Sequence, residues 1–120
     1  MQNGRRKHQM YFPNGITAGI HRGILHFNVG EVDNRSEARG KQYNDGYWHM
    51  ATCVYDGTNQ ILYVDGQMVE SKPKSFNKHV HLPILLGHAM PTSYFKGSLD
   101  DFKVYSRSLS LEEIQYLYQE

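Results

Sequence analysis

The chain has a single cysteine, Cys53, so it cannot form an internal disulfide. It also lacks any apolar run near the ~20 residues that a membrane-spanning helix needs. Neither sign of charge dominates, because 13 lysines and arginines stand against 12 aspartates and glutamates, a net charge of +1. Since nucleic-acid-binding domains are usually strongly basic, these absences argue against a disulfide scaffold, membrane insertion and nucleic acid as the main partner.

The first twelve residues are basic and lack the apolar stretch of a signal peptide. We expect residues 1–9 to form a flexible end. Cys53 lies within an apolar run, where the expected role is that of a small buried hydrophobe. These features fit a cytosolic protein, and they fit equally well a mature piece of a secreted one.

Aromatic residues and glycines are plentiful, with nine tyrosines, five phenylalanines and eleven glycines, which suits β-strands separated by tight turns. Residues 24–29 alternate in polarity and predict a half-buried strand. Residues 47–55 are apolar on both faces, which predicts a central strand with Trp48 on a covered face. The dipeptide Asp65-Gly66 predicts a two-residue hairpin turn, and residues 95–105 predict a further strand.

The end of the chain carries a helix signal. Ser110 and Glu113 have the spacing of a capping box, and Leu111, Ile114 and Leu117 then recur at helical spacing, which predicts about two turns of helix. Many short strands, about ten residues apart, precede it. The sequence therefore predicts one all-β domain, an antiparallel two-sheet sandwich with a short C-terminal helical turn.

Three segments, taken in order, resemble the laminin-G-like, or concanavalin A-like, jelly-roll domains. They are WHMATCVYDG at 48–57, ILYVDGQMV at 61–69 and FKGSLDDFKVYSRSLSLEEIQYLY at 95–118. The matching positions are Trp48, His49, Tyr55, Asp56, Gly57, Leu62, Tyr63, Val64, Asp65, Gly66, Gly97, Leu99, Asp100, Asp101, Tyr105, Arg107, Leu109 and Ser110. The resemblance covers residues 45–118 well and 10–30 loosely. It implies a single jelly-roll domain over 1–120, located outside the cell or at its surface, in which His49 is a hydrogen-bonding structural residue.

Domains of this family usually begin with several strands before the position of Met10. The resemblance therefore implies that this chain is N-terminally short. A sheet edge left unpaired invites pairing with another chain. We expect either a homo-oligomer or a partner that completes the sheet.

The longest polar segment, residues 30–46, holds the candidate ligand-binding residues. Loops of this length are usually functional or mobile. Sugars present hydroxyl edges and apolar C–H faces, which suit amide, carboxylate, guanidinium and aromatic side chains. The candidates of these types are Asp33, Asn34, Arg35, Arg39 and Tyr43. The alternative interpretation is a plain polar loop.

Asp100 and Asp101 form the most conspicuous acid pair. Adjacent residues of a strand point to opposite faces, so the two carboxylates cannot flank one scissile bond as in a glycosidase. In one interpretation, one carboxylate is at the surface and the other is bonded to turn backbone. In the other, which the family resemblance implies, the pair ligates one structural calcium ion. Calcium takes about six to eight oxygen ligands, so this pair would supply only part of such a site.

Three functions remain for such a chain. The first is a non-catalytic recognition module, of the kind used in adhesion, that binds a glycan or protein ligand through the rim loops of a sandwich. The second is an assembly module that docks to other chains. The third is a glycan hydrolase, but the sequence has no Glu-x-Asp-x-x-Glu strand and no other catalytic motif. The sequence therefore favours a protein that is not an enzyme.

Overall fold

A computed structural model of the chain describes residues 16–30, 32–75, 88–90, 93–94 and 97–119. Within these residues it is mostly antiparallel β-structure with one C-terminal helix, which confirms the predicted all-β class. Residues 1–9, predicted to be a flexible end, lie outside the described part. The elements are β1 (Ile16–His21), β2 (Ile24–Val29), β3 (Ser36–Glu37), β4 (Ala51–Tyr55), β5 (Asn59–Val64), β6 (Gln67–Pro73), β7 (His88–Met90), β8 (Ser93–Tyr94) and α1 (Leu111–Gln119).

The strands form two three-stranded antiparallel sheets, β1-β2-β3 and β4-β5-β6, and β7 pairs with β8 as a two-stranded ribbon. Both long hairpins close on two residues with positive φ, Arg22-Gly23 at 54° and 83° and Asp65-Gly66 at 53° and 82°. Positive φ at both central residues is what a type I′ turn requires. The hairpin predicted at Asp65-Gly66 is confirmed, with β6 returning antiparallel to β5.

The core lies between the two sheets. Phe27 and Val29 of β2 are buried together with Leu62 and Val64 of β5. Burial of one such side chain is worth roughly 1.5–3 kcal/mol relative to leaving it exposed. Because side chains alternate along a strand, the intervening Tyr63 lies on the opposite face of β5. It forms a second buried cluster there with residues of β4 and α1.

The helix begins as predicted. Ser110 Oγ accepts a hydrogen bond from the Glu113 N–H at 3.2 Å, and Glu113 Oε1 accepts one from the Ser110 N–H at 2.9 Å. This reciprocal pair is a capping box. Ile114, fully buried, then docks the helix on the second sheet against Val54 and Tyr63.

Strand β2 differs from the half-buried strand predicted, because its polar face is buried too. His26 and Asn28 are 8% and 0% exposed. The following loop folds back over Asn28, whose Nδ2 donates to Gly30 O at 2.9 Å and to Val32 O at 3.0 Å. Lys74 Nζ then donates to Asn28 Oδ1 at 2.9 Å and to Val32 O at 2.8 Å. The Asn28 amide can therefore be buried, because it is hydrogen-bonded to two backbone carbonyls and to an ammonium group.

Two further strand predictions were wrong in part. The strand predicted over 47–55 begins only at Ala51, and within the described sheet the middle strand is β5. Residues 97–105, the described part of the strand predicted over 95–105, form no strand. Asp101 has φ 54°, which is incompatible with an extended chain, and its N–H donates to Asp100 Oδ1 at 2.8 Å.

Candidate functional site

The loop of residues 38–50, which joins β3 to β4, is fastened to both sheets. The Ala38 N–H donates to Leu25 O at 2.9 Å, and the Tyr43 N–H donates to Gly23 O at 2.7 Å. At the other end, the Asp65 N–H donates to Met50 O at 2.8 Å. Backbone hydrogen bonds at its start, middle and end therefore position this loop across the β1–β2 and β5–β6 hairpins. We call it the anchored loop.

His49 lies between two carboxylates. Its Nδ1 is 2.8 Å from Asp65 Oδ2, and its Nε2 is 2.9 and 3.0 Å from the two oxygens of Asp45. A carboxylate only accepts hydrogen bonds, so the ring makes both contacts as donor when it is the imidazolium. The edge of the Tyr43 ring also meets the imidazole at a centroid distance of 5.0 Å and an interplanar angle of 87°. The hydrogen-bonding structural role predicted for His49 is confirmed.

The same contacts shift the ionisation of this cluster. The hydrogen bond to Asp65 raises the pKa of His49 above its ordinary 6.5, with a smaller contribution from the hydrogen bond to Asp45. The hydrogen bond from His49 lowers the pKa of Asp45, and the Tyr47 N–H, which donates to Asp45 Oδ1 at 3.1 Å, lowers it further. The contacts of the cluster therefore favour the imidazolium form of His49, placed between the side chains of Asp45 and Asp65.

Tyr47 and Trp48 project into solvent between the two hydrogen-bonded ends, Asp45 and His49. Their exposures are 78% and 69%, the highest and third highest among the exposed large hydrophobic residues of the described chain. Trp48 was predicted to lie on a covered strand face, and that prediction was wrong because the strand starts three residues later. Aromatic rings with one polar atom on each suit a surface that binds a ligand with both apolar and polar faces. We call this pair the aromatic platform.

Positive charge lies in the same loop. Lys41 Nζ is 5.2 Å from the centroid of the Tyr43 ring, a cation–π distance. Arg39 is 60% exposed at its side chain and forms an ion pair with Glu37 at 2.7 Å. The anchored loop thus combines two cations with aromatic rings. Of the five ligand residues predicted from sequence, Arg39 and Tyr43 lie here.

The other three predicted ligand residues lie elsewhere and bond within the protein. Arg35 is 2% exposed and forms ion pairs at 2.7 Å with both Asp33 and Glu37. Asn34 donates from its N–H to Asn28 Oδ1 at 3.3 Å and from Nδ2 to Pro73 O at 3.4 Å. Removing one partner of a buried ion pair is costly, about 3–5 kcal/mol. A ligand that contacted Arg35 directly would have to displace these bonds.

The acid pair predicted to bind calcium lies on the surface. Asp100 and Asp101 are both exposed, and Asp100 Oδ1 already accepts the Asp101 N–H. Among the residues that the structure describes, no group of three or more histidine, cysteine, aspartate or glutamate side chains gathers as a metal site. A structural calcium at this pair stays a prediction.

The two antiparallel sheets pack face to face, and a long loop lies over their hairpins. This arrangement is a β-sandwich, a class of fold in which the loops differ between related proteins. The chain matches the laminin G family model described as the concanavalin A-like lectin/glucanases superfamily over residues 5–115. It belongs to that family. The laminin-G-like resemblance stated from the sequence is thereby confirmed.

A solved structure shows the same fold at low sequence identity. It is the 2.1 Å crystal structure of an S-layer domain-containing protein, residues 221–444, from Clostridium thermocellum ATCC 27405. The TM-score is 0.57 at 17% identity, and the alignment covers 98% of this chain and 70% of that one. No curated protein matches the chain. Across the described ranges, no helix has both the length and the apolar character to cross a bilayer.

Proposed function

We propose that this domain is a non-catalytic recognition module that binds a glycan through its anchored loop. The observation that carries the proposal is the aromatic platform. Tyr47 and Trp48 stand more than two-thirds exposed on a backbone that Asp45, His49 and the β5–β6 turn hold in place. Because several hydrogen bonds hold the backbone that carries the two rings, the binding surface is pre-organised. A pre-organised surface loses less conformational entropy on association than a flexible loop does.

The chemistry of the loop favours an acidic glycan. A sugar ring can lay its C–H face on an aromatic side chain while its hydroxyls meet polar groups at the rim. Lys41 adds positive charge over the Tyr43 ring, and the exposed Arg39 lies in the same loop. Positive charge suits a uronate or a sulfated sugar. Membership of a superfamily of lectins and glucanases agrees with a sugar ligand.

Trp48 is the only tryptophan, so its fluorescence reports directly on the platform. We would titrate the protein with heparin oligosaccharides, oligogalacturonates and neutral xylo- and cello-oligosaccharides. We expect Tyr47→Ala and Trp48→Ala each to weaken binding about tenfold or more, which corresponds to ~1.4 kcal/mol of binding free energy. Because Trp48→Ala lacks the fluorophore, its binding is measured by calorimetry. Tyr116→Ala, which removes a ring 67% exposed on α1, is the matched control and should bind as the parent does. Absence of binding by every sugar, or unchanged binding by Trp48→Ala, would refute the proposal.

A second candidate, an assembly module, is favoured by the surface of residues 97–105. Leu99, Phe102 and Val104 are 56%, 56% and 67% exposed. Such a run of exposed apolar side chains is typical of an interaction surface. Self-association that Phe102→Ser abolishes, measured by light scattering across a wide concentration range, would support this role, and a monomer at every concentration would count against it.

Two finer points belong to the same proposal. We place the module outside the cell or at its surface, in keeping with its family and with its fold likeness to an S-layer domain-containing protein. A structural calcium at Asp100 and Asp101 would add backbone or water oxygens to these two carboxylates. Calcium titration by calorimetry, with Asp101→Asn as the comparison, tests it. An identical flat response from both proteins would exclude the ion at this pair.

A further inference from the structure

The side chain of His49 contacts residues on both sides of the aromatic platform. The backbone from Asp45 to His49 carries Tyr47 and Trp48, and the side chains at its two ends meet at 2.9 Å. Asp45 additionally accepts the Tyr47 N–H. The imidazole is therefore the bridge between the platform and the β5–β6 turn, because its other nitrogen bonds to Asp65.

The Asp65 side of this bridge is the firmer one. Asp65 Oδ1 accepts the Met50 N–H at 2.9 Å, and the Asp65 N–H donates to Met50 O at 2.8 Å. Its turn also packs against α1, where Gln115 Nε2 donates to Gly66 O at 3.3 Å. Asp45 lies in the exposed part of the loop, and the bonds described for its carboxylate are those from His49 and Tyr47.

The imidazole of His49 can make both of its hydrogen bonds only when it is protonated. A neutral imidazole donates from only one nitrogen and presents a lone pair at the other. Facing a carboxylate, that lone pair repels rather than binds. Loss of the proton therefore breaks one of the two contacts, and the better-supported Asp65 contact is the one retained.

We propose that the protonated His49 is the positioning residue of the aromatic platform, so that the platform is held for ligand while the imidazole carries its second proton and is released when that proton is lost. This inference deepens the proposed glycan recognition and rests on it for its biological meaning. The ring itself need not touch the ligand.

The groups that face His49 come from each element packed against it. From its own loop they are Asp45 and the edge of Tyr43, behind which lies Lys41; from the β5–β6 turn the group is Asp65. On the side of α1, the amide of Gln115 and the ring of Tyr118 border Gly66 of the same turn. The two carboxylates thus dominate the electrostatics of the ring.

The sign follows from the direction of the pKa shift. The pKa of His49 is raised above 6.5 in the folded protein by its bonds to Asp65 and Asp45. The contribution of the bridge is therefore fully present below pH 6.5 and is lost as pH rises through the raised folded value. His26 does not interfere, because burial, reinforced by the charge of Arg35, lowers its pKa to about 4.

The test uses Trp48 without any ligand. Trp48 emission and its quenching by acrylamide, followed from about pH 5.5 to about pH 9, should change in one titration with a midpoint above 6.5. The His49 ring proton shifts in NMR spectra should follow the same curve. His49→Gln should abolish the titration of Trp48 and leave it as accessible as in the parent at high pH. Asp45→Asn should also abolish the titration but leave Trp48 as shielded as in the parent at low pH, because an amide can accept from the imidazolium and donate to the neutral ring.

Asp56→Asn is the matched control. Asp56 is likewise an exposed carboxylate that accepts backbone hydrogen bonds, from Thr58 and Asn59, but within its own turn. It should leave the Trp48 titration unchanged. Circular dichroism checks that each variant is folded. If His49→Gln does not fold, Asp45→Asn alone provides the test.

The two proposals fail separately. If a glycan binds, its affinity should fall about fivefold or more across the titration, the lower end of typical coupling between two sites, and His49→Gln should be insensitive to pH. A Trp48 titration without binding of any glycan would support the positioning role and refute the proposed ligand. Trp48 emission that does not change with pH, or that still titrates in His49→Gln, would overturn the positioning role even if glycans bind.

Discussion

Gln60 of β5 joins the two sheets through its side-chain amide, and removing that amide should cost a large part of the stability of the domain. The residue is fully buried. Its Oε1 accepts the Val29 N–H at the end of β2 at 2.9 Å, and its Nε2 donates to Asn34 O at 2.5 Å. One side chain thus satisfies two backbone groups of the opposite sheet and its loop.

Gln60→Ala leaves both backbone groups without this partner. A buried polar group left unsatisfied costs about 1–3 kcal/mol. Two such groups give about 2–6 kcal/mol, a substantial share of the ~5–15 kcal/mol by which most domains are stable. Gln60→Leu restores most of the volume but neither hydrogen bond, so it should lose nearly as much stability as Gln60→Ala.

Urea unfolding followed by far-UV circular dichroism measures this loss, with the transition midpoint shifted and the slope unchanged. Gln67→Ala, which truncates an exposed glutamine of β6, is the control and should shift the midpoint little. A loss below ~1 kcal/mol for Gln60→Ala, or recovery of stability by Gln60→Leu, would refute the claim that hydrogen bonds rather than volume matter here.

Gln60→Glu tests the same geometry through pH. One carboxylate oxygen can still accept the Val29 N–H, but the other meets Asn34 O, and two acceptors repel. Burial raises the pKa of a carboxyl group, and only the protonated acid can donate to that carbonyl. The variant should therefore be most stable below the ordinary glutamate pKa of about 4.3 and lose stability relative to the parent as pH rises towards neutrality.

Three further outcomes are expected. Ser110→Ala removes half of the capping box and should lower the stability by about 1 kcal/mol, seen as a lower thermal midpoint; an unchanged midpoint would contradict the cap. Gly66 has φ 82°, so Gly66→Ala should lower the free energy of unfolding in urea by about 1–2 kcal/mol. Gly66→Asn should lower it less, since asparagine tolerates that conformation. Equal losses for the two variants would count against backbone strain. Cys53 is half-buried, and burial raises its pKa to about 12, so a thiol reagent at mildly alkaline pH should label the folded protein far more slowly than the unfolded one; equal labelling rates would contradict the raised pKa.

Features that depend on adjacent residues were predictable from the sequence. The Asp65-Gly66 turn needs only two residues that accept positive φ, and the start of α1 needs only Ser110 and Glu113 at the right spacing. The family was predictable as well, because three such local patterns occur in a fixed order.

Features that depend on distant parts of the chain were not predictable. Arg35 has the composition of a ligand residue, but Asp33 and Glu37 enclose it, and the sequence does not say whether a polar loop folds inward. Trp48 shows the converse error. An apolar run predicts two strand faces, but it does not show where pairing begins, and here pairing with β5 begins only at Ala51.

The ammonium of Lys74 has a consequence for how the β2–β3 loop keeps its shape. Nζ donates to Asn28 Oδ1 and to Val32 O, so this ammonium joins two oxygen atoms that would otherwise face each other. Here the cation belongs to the chain itself, at the residue that follows β6, so no chelator can remove it. Lysine acetylation, which removes the charge, is the chemical route by which this loop could be loosened.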